Sequence, residues 1–438
     1  MTTEEKYTLA RRVLEYAIQN GAQQAAAIIS DSISSSVEVR QQKIDLLEQS
    51  NQCGLTIQLY VDHRYSSHST NRLDKAGLAP FINEAIEATR FLSEDEFRTL
   101  PDPALYYKGD IKDLGTMDPD FNRVDPQTRI EAAFNVEKEA IGKDNRILSV
   151  TAGYYDGING RVMATSNGFE GDNTNTCFGI YADVSVHGGN ARPESSWSES
   201  AVFLNRLKRE GVGETALKRA LKKIGQGKIA SASMPMIVEN RVAGNLLSPL
   251  ISALNGSSIQ QKQSFLIDKI GEKVTSEKLT LTDDPFIVSG RGSRLFDYEG
   301  LASAKRVVFE RGVLKTYFID TYYGKKLGKQ PTSGSTSNLV FETGNKNLDG
   351  LVASLDKGIL VTGFNGGNCN SSTGDFSYGI DGFLIKKGII SQPVSGMNIT
   401  GNMKTLWMDL AETGNDVNFN SSWLTPSLLF SKADFSGI

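Results

Sequence analysis

Strand-like runs come in blocks along these 438 residues, and helices fall between the blocks rather than between single strands. A doubly wound parallel sheet needs a helix after nearly every strand, so this order points to an α+β fold. After an opening amphipathic helix (about 4–19, with Leu9, Val13, Tyr16 and Ala17 on one side) come four strand-like runs: AAAIISDS, SSSVEVRQQ, KIDLLEQS and GLTIQLYVDHRYSSHST. The last alternates Leu55, Ile57, Leu59 and Val61, the period of a half-buried strand. A helix is expected over 74–93, with Pro80 implying a late start or a break. A polar connection spans 94–124, a helix opens at Pro126 and runs to about 142, and a β-rich stretch reaches DVSVHGG. A further helix covers 213–224, and GQGK at 225–228 marks the expected boundary between a first unit (1–225, with a middle segment from about 125) and a second (226–438).

The second unit contains the passage MIVENRVAGNLLSPLISAL, 236–254. Its β-branched start runs into a helical pattern expected over 242–254. Val242, Leu246, Leu250 and Leu254 form one row, and Ala243, Leu247 and Ile251 form the next. Asn240, Arg241 and Asn245 lie on the other face where strand becomes helix, a place where backbone N–H groups and side chains converge. Pro249 removes the amide that would bond the Asn245 carbonyl, so a local kink is expected.

Charge and cysteine usage narrow the function class. A net charge of −4 argues against a nucleic-acid surface as the main business. No run reaches the ~20 apolar residues of a membrane span, and the charged N-terminus does not read as a signal peptide. Three scattered cysteines (Cys53, Cys177, Cys369) read as reduced thiols, so a cytoplasmic protein is expected.

The search for chemistry is mostly negative. His63 and His68 are five apart in a strand and turn, which sends them to opposite faces, and the third histidine, His187, sits beside two glycines. Beyond residue 190 the one histidine or cysteine is Cys369, so the C-terminal half has no conventional zinc site. No G-x-S-x-G elbow or phosphate loop occurs. Ser377 has Asp375 nearby but no histidine in its neighbourhood, and Cys369 in GFNGGNCNSSTG has no identifiable base. Asp297 and Glu299 in SRLFDYEG form a carboxylate pair suited to acid–base work or, the favoured reading, to bracing the turn before Gly300.

Several segments, in order, resemble the TldD/PmbA family and more closely its PmbA (TldE) branch. They are VEVRQQKIDLLEQSNQCGLTIQLYVDHRYSSHSTNRL, ATSNGFEG (164–171), LFDYEGLASAKRVVFERGVLKTYFIDTYYGKKLG (295–328) and STGDFSYGIDGFLIKKGIISQPVSGMNITGNM (372–403). The resemblance implies a mixed N-terminal domain and a β-rich, barrel-like C-terminal domain. It implies a cytoplasmic proteolytic machine acting on unfolded peptides, in a family with a link to DNA gyrase inhibitors that need not mean contact with DNA.

TldD-type chains carry an H-E-x-x-x-H helix motif and a tail cysteine that bind a catalytic metal. By resemblance that motif falls on NRVAGN, 240–245: Asn240 and Asn245 take the ligand positions, and Arg241 takes that of the base. No cysteine follows residue 411. The expectation is a chain with no catalytic or metal-binding residues of its own. It would be a PmbA/TldE-like subunit that pairs with a zinc-bearing TldD-type partner or with itself, in a complex that degrades unfolded peptides. The alternative is a homodimeric peptide-binding protein without proteolytic activity. Peptide contacts are expected at Asn240, Arg241, Asn245, Asp375 and Ser377.

Overall fold

A computed structural model describes residues 1–109, 112–189 and 191–438, so of the expected 94–124 connection only residues 110 and 111 lie outside it. Its first half is one six-stranded sheet. Helix α1 (Thr3–Gln19) leads into β1 (Gln24–Arg40), β2 (Lys43–Val61) and β3 (Arg64–Thr70), followed by α2 (Lys75–Arg90). Helix α3 (Pro126–Lys138) precedes β4 (Ile147–Thr165), β5 (Glu170–Val186) and β6 (Glu194–Ala201), and α4 (Val212–Lys222) closes the set. The strand order is β3-β2-β1-β4-β5-β6, every neighbour antiparallel.

The four expected runs before residue 70 are three strands, because the first two runs fuse into β1 and the third joins the start of the fourth in β2. The two hairpins turn at Gln41–Gln42 and Asp62–His63, all at positive φ, the tight two-residue geometry that suits strand twist. Both carboxylate oxygens of Glu137 accept the Gln42 N–H (3.0 and 3.1 Å), pinning the first turn to α3. Alternation then divides the sheet. One face carries Ala27, Ile29, Leu55, Ile57 and Leu59 under α1 and α2, and Val37, Val39, Tyr154 and Ile180 under α3 and α4. The other face is polar, with Ser32, Ser34, Ser36 and Glu38 on β1 and small residues on β4 and β5. There the Tyr181 ring lies over Gly153 and the Tyr155 ring over Gly179, two places where a Cβ would collide. Pro80 causes no break: α2 starts at Lys75 under an Asp74 cap, and a proline at the sixth position forfeits only the bond to the Ala76 carbonyl.

The second half is built on a barrel. Its elements are β7 (Ala232–Val238), α5 (Gly244–Ser252), α6 (Gly256–Gln260), β8 (Leu281–Asp283), β9 (Arg306–Glu310), β10 (Val313–Leu314), α7 (Thr321–Leu327) and β11 (Leu339–Phe341). They continue with α8 (Leu348–Ala353), β12 (Lys357–Cys369), β13 (Asp375–Lys386), β14 (Ile389–Asn402), α9 (Met403–Met408), β15 (Leu410–Thr413), β16 (Trp423–Leu424) and β17 (Leu428–Ser436). Strands β14-β13-β12-β7-β17 form a five-stranded ring, closed where Asn398–Thr400 pairs with Asp434–Ser436, and β15 is appended to β17. Only β7 and β12 run parallel in that ring. A smaller sheet, β10-β9-β8-β11-β16, packs beside it.

Helix α5 plugs this core with Leu246, Leu247, Leu250 and Ile251, the stripe expected from its period. It begins two residues later than expected, because the Glu239 carbonyl accepts both the Val242 and Ala243 N–H groups (2.9 Å each) in a turn. The helix runs on through Pro249 to Ser252, the proline occupying its sixth residue. Among the described residues no helix is long and apolar enough to cross a membrane.

Candidate functional site

The turn between β7 and α5 sits where the open face of the first sheet meets the barrel. A polar cavity of about 720 Å³ lies there. Its walls come from Thr151 and Asp183 on the sheet, Ser196 and Ser198 on β6, Arg219 on α4 and Lys223 just past the end of α4. Arg241 precedes α5 and Asn245 lies in its first turn, Thr362 and Asp381 face in from the barrel, and Asn418 and Asn420 belong to the tail segment before β16.

The cavity's cations are matched by fixed acceptors. Arg219 holds Glu239 through two 2.7 Å bonds, a fork-on-fork pairing, and its guanidinium lies 5.2 Å from the Trp197 ring centre. Lys223 donates to the Glu194 carbonyl (2.9 Å) and lies 3.8 Å from Asp381. Asp183 is the exception: burial, then the nearby charges of Glu194 and Glu38, raise its pKa above the usual carboxylate value.

The three residues singled out at this turn have different fates. Asn240 is tied into the protein through its backbone N–H and C=O and its side-chain NH2. Its N–H donates to Ser427 Oγ (3.1 Å), its carbonyl accepts from Thr425 Oγ1 (2.8 Å), and its side-chain amide donates to the Asp416 carbonyl. Asp416 in turn accepts from Ser427 Oγ (2.6 Å), which closes the knot. Arg241 reaches away from the helix to β6. It donates to the Ser198 carbonyl (2.9 Å) and Glu199 Oε1 (2.8 Å), with its guanidinium 4.0 Å from the Trp197 ring centre. Asn245 is exposed, and among the described residues its side chain makes no hydrogen bond.

This set does not suit a dication. A guanidinium has no acceptor atom, and the two asparagines bring only neutral amide oxygens, poor ligands for a catalytic zinc. Among the described residues, no group of three or more His, Cys, Asp or Glu side chains could hold one. The tail does reach this corner, as it would have to if it carried a ligand. What it brings is Asn420, whose Oδ1 accepts the Ser200 N–H (2.6 Å) and whose Nδ2 donates to Glu199 Oε2 (3.0 Å).

Asp375 and Ser377 stand elsewhere, at the start of β13, around a shallow depression shared with Cys369 that has no residue in common with the cavity. Hydrogen bonds from Asn402 (2.8 Å) and Thr373 (2.7 Å) hold the Asp375 carboxyl below its usual pKa. Burial and the Asp375 charge push the Cys369 thiol up, the wrong direction for a nucleophile. Among the histidines, His63 is an exposed turn residue and His68 Nε2 pairs with Ser66 Oγ (2.9 Å).

The carboxylate pair lies under α7. Asp297 Oδ1 accepts the N–H groups of Glu299 (2.9 Å) and Leu301 (3.0 Å), so it braces the turn before Gly300 as its spacing suggested. Glu299 Oε2 accepts the N–H (2.9 Å) and hydroxyl (3.0 Å) of Thr321 at the first turn of α7. Burial outweighs those bonds, and with the charges of Asp297 and Asp320 it pushes the Glu299 pKa up to about 7.

Trp197, Lys223 and Asn420 line the cavity, with Glu199 beside them holding Arg241, and none was singled out from the sequence. Each meets Arg241 or β6 only through the tertiary fold, and none falls in a motif.

Three family models match in series: PmbA/TldA metallopeptidase domain 1 over residues 25–89, the central domain over 119–224 and the C-terminal domain over 231–437. The metalloprotease PmbA of Escherichia coli O157:H7 is 26% identical, covering 98% of this chain and 97% of its own. The crystal structure of a Bacteroides thetaiotaomicron protein, described as a candidate modulator of DNA gyrase, is 51% identical over 100% of both chains, with a TM-score of 0.98. TldE from Thermococcus kodakarensis shares the fold (TM-score 0.88, 22% identity, 98% of this chain and 100% of that one).

Proposed function

Because the chain belongs to the PmbA/TldD metallopeptidase family, we propose that it serves as the subunit of a two-chain peptidase that lacks the metal. In this reading a TldD-type partner supplies zinc and base, and the complex acts in the cytoplasm on unfolded peptide. The chain divides into an α+β unit (1–225) and a barrel unit (226–438), with the cavity between them turned toward the substrate. The observation that carries the reading is the chemistry at the β7–α5 turn. Asn240 and Arg241 stand at the positions assigned by resemblance to a ligand and the base; Asn240 is a neutral amide whose NH2 is bonded to the Asp416 carbonyl, and Arg241 is turned away onto β6. A guanidinium is protonated at any working pH and cannot accept a proton from water.

What this chain's own residues do is shape and charge the cavity. Arg219, Lys223 and Arg241 are neutralised by Glu239, Asp381 and Glu199, so the wall presents mostly hydroxyls and amides. Such a wall suits main-chain recognition, which tolerates many sequences. Of the five residues expected to meet peptide, Asn245 is the one exposed on the cavity wall with its side chain unspent.

The test is metal analysis and digestion of an unfolded protein by the purified chain, alone and with a TldD-type chain. Cleavage only in the mixture, with zinc on the partner, is expected. The reading falls if the chain alone carries stoichiometric zinc and cleaves peptide, with both lost to a chelator. The second reading, a homodimeric peptide binder, requires a stable homodimer that ignores any TldD-type chain.

A further inference from the structure

Asparagine followed by glycine has a slow chemistry of its own. The glycine main-chain nitrogen can attack the Asn Cγ, because no Cβ stands in the way of a close approach. A new C–N bond closes a succinimide ring, and the side-chain nitrogen leaves as ammonia with the proton of the attacking N–H. Water then opens the ring at either carbonyl, giving aspartate or isoaspartate. The step needs a side chain free to turn and a glycine N–H free to attack, so the fold decides which pairs react.

The chain holds five Asn-Gly pairs, and four of them are held. Asn20 Nδ2 donates to the Tyr16 carbonyl (2.8 Å), and the Gly21 N–H donates to the Ile18 carbonyl (3.2 Å). Asn167 donates to the Pro101 carbonyl (2.9 Å) and accepts from Tyr106 (2.8 Å), while the Gly168 N–H donates to the Thr165 carbonyl (3.2 Å). After Asn255, the buried Gly256 gives its N–H to the Phe318 carbonyl (2.8 Å). Asn159 and Gly160 lie within β4, in register with β1 on one side and β5 on the other.

Asn365 and Gly366, in the run GFNGGNCNSSTG, differ on each count. Asn365 is exposed on the cavity wall, and among the described residues its side chain makes no hydrogen bond. The pair forms a bulge: β12 pairs with β13 through Phe364 and resumes at Gly367, so neither residue has a partner across the ladder. On its other side β12 meets β7 only through Ile359–Val361. Gly366 has a φ of 69°, and nothing lies within 4 Å of where a Cβ would stand.

We propose that Asn365 is a site of spontaneous deamidation, a modification that sets one negative charge on the cavity wall. Arg219, Lys223 and Arg241, the cations of that wall, already have carboxylate partners, so the new charge stands uncompensated. Isoaspartate also lengthens the main chain by one carbon at the bulge, where β12 already departs from β13. The proposal needs no partner subunit and no metal, and it does not depend on the preceding reading.

The test is ageing of the purified full chain in warm, mildly alkaline buffer, followed by isoelectric focusing and peptide mapping by mass spectrometry. An acidic band should grow with time, and its added charge should map to residue 365 in two forms, aspartate and isoaspartate. Each hydrogen bond that a competing site must first open slows it about fivefold, so Asn365 should lead the other four by at least that factor. In urea the lead should vanish, because all five pairs are then equally free. Asn365→Gln, whose longer side chain closes a ring far more slowly, should remove the early acidic band.

Five pairs reacting at one rate in the folded protein would overturn the proposal. So would another Asn-Gly pair converting while Asn365 keeps its amide. An early acidic band that survives Asn365→Gln would place the reaction elsewhere. A folded chain that gains no charge while the urea-unfolded chain does would show that the bulge protects Asn365 instead of exposing it.

Discussion

Glu299→Gln should stabilise the protein in mild alkali and do little in mild acid. The Glu299 carboxyl is pushed from an ordinary 4.5 to about 7, first by burial, with Asp297 and Asp320 adding like charge nearby. Tyr60, Tyr65 and Tyr298 also surround it, so little water reaches the charge. The native state therefore keeps its proton where the unfolded chain has lost it. The raised pKa contributes stability that is fully present below about 4.5 and is lost as pH rises to about 7. A difference of about 2.5 in pKa corresponds to roughly 3 kcal/mol, and partial exposure of the side chain trims this to about 2 kcal/mol. Glutamine mimics the protonated acid and still offers Thr321 a carbonyl oxygen, so its stability should lack this slope. The assay is urea unfolding of both proteins at pH 5, 6, 7 and 8 and fixed ionic strength. The variant's advantage should be below about 1 kcal/mol at pH 5 and reach about 2 kcal/mol at pH 8. A stability difference that does not change with pH, or that grows toward acid, would refute the reasoning.

Three further outcomes follow from the packing. Arg129→Ala should cost about 3–5 kcal/mol by urea titration, because it strands the Asp156 carboxylate, whose side chain is 0% exposed and, among the described residues, otherwise bonded only to Tyr154. Gly382→Ala drives a Cβ into the Leu360 carbonyl across the β12–β13 pairing, and the melting temperature should fall with a loss of about 1–3 kcal/mol. Leu250→Ala, at 1% exposure inside α5, should lose about 2–5 kcal/mol in the same titration while leaving the cavity wall in place.

The α+β class was legible from the blocks of strands, and the α5 stripe from its 3.6-residue period, because both reflect which side chains must be buried. The barrel came from resemblance alone, since no local pattern announces that β14 will meet β17. Strand lengths were misjudged for a specific reason. The runs were broken at Ile33 and at Asn51–Cys53, where serines, Asn51 and Gln52 mask the alternation, yet both stretches continue strands whose polar residues face away from the helix-covered side. At the β7–α5 turn, residue types sufficed to argue that Asn240, Arg241 and Asn245 make a poor metal site. Where Arg241 goes was not legible, because its partners Ser198 and Glu199 lie about forty residues upstream on a strand of the other half.

The ring of five strands also sets an order of events during synthesis. Strand β7 has β12 and β17 as neighbours, so the chain must wait more than a hundred residues for the first and nearly two hundred for the second. Both seams that β17 seals, against β7 and against β14, stay open until residues 428–436 leave the ribosome. The first sheet, complete by Ala201, can fold long before then. A chain cut short before β17 would present two unpaired edges around an apolar interior. Such a product is prone to aggregate rather than to linger half folded.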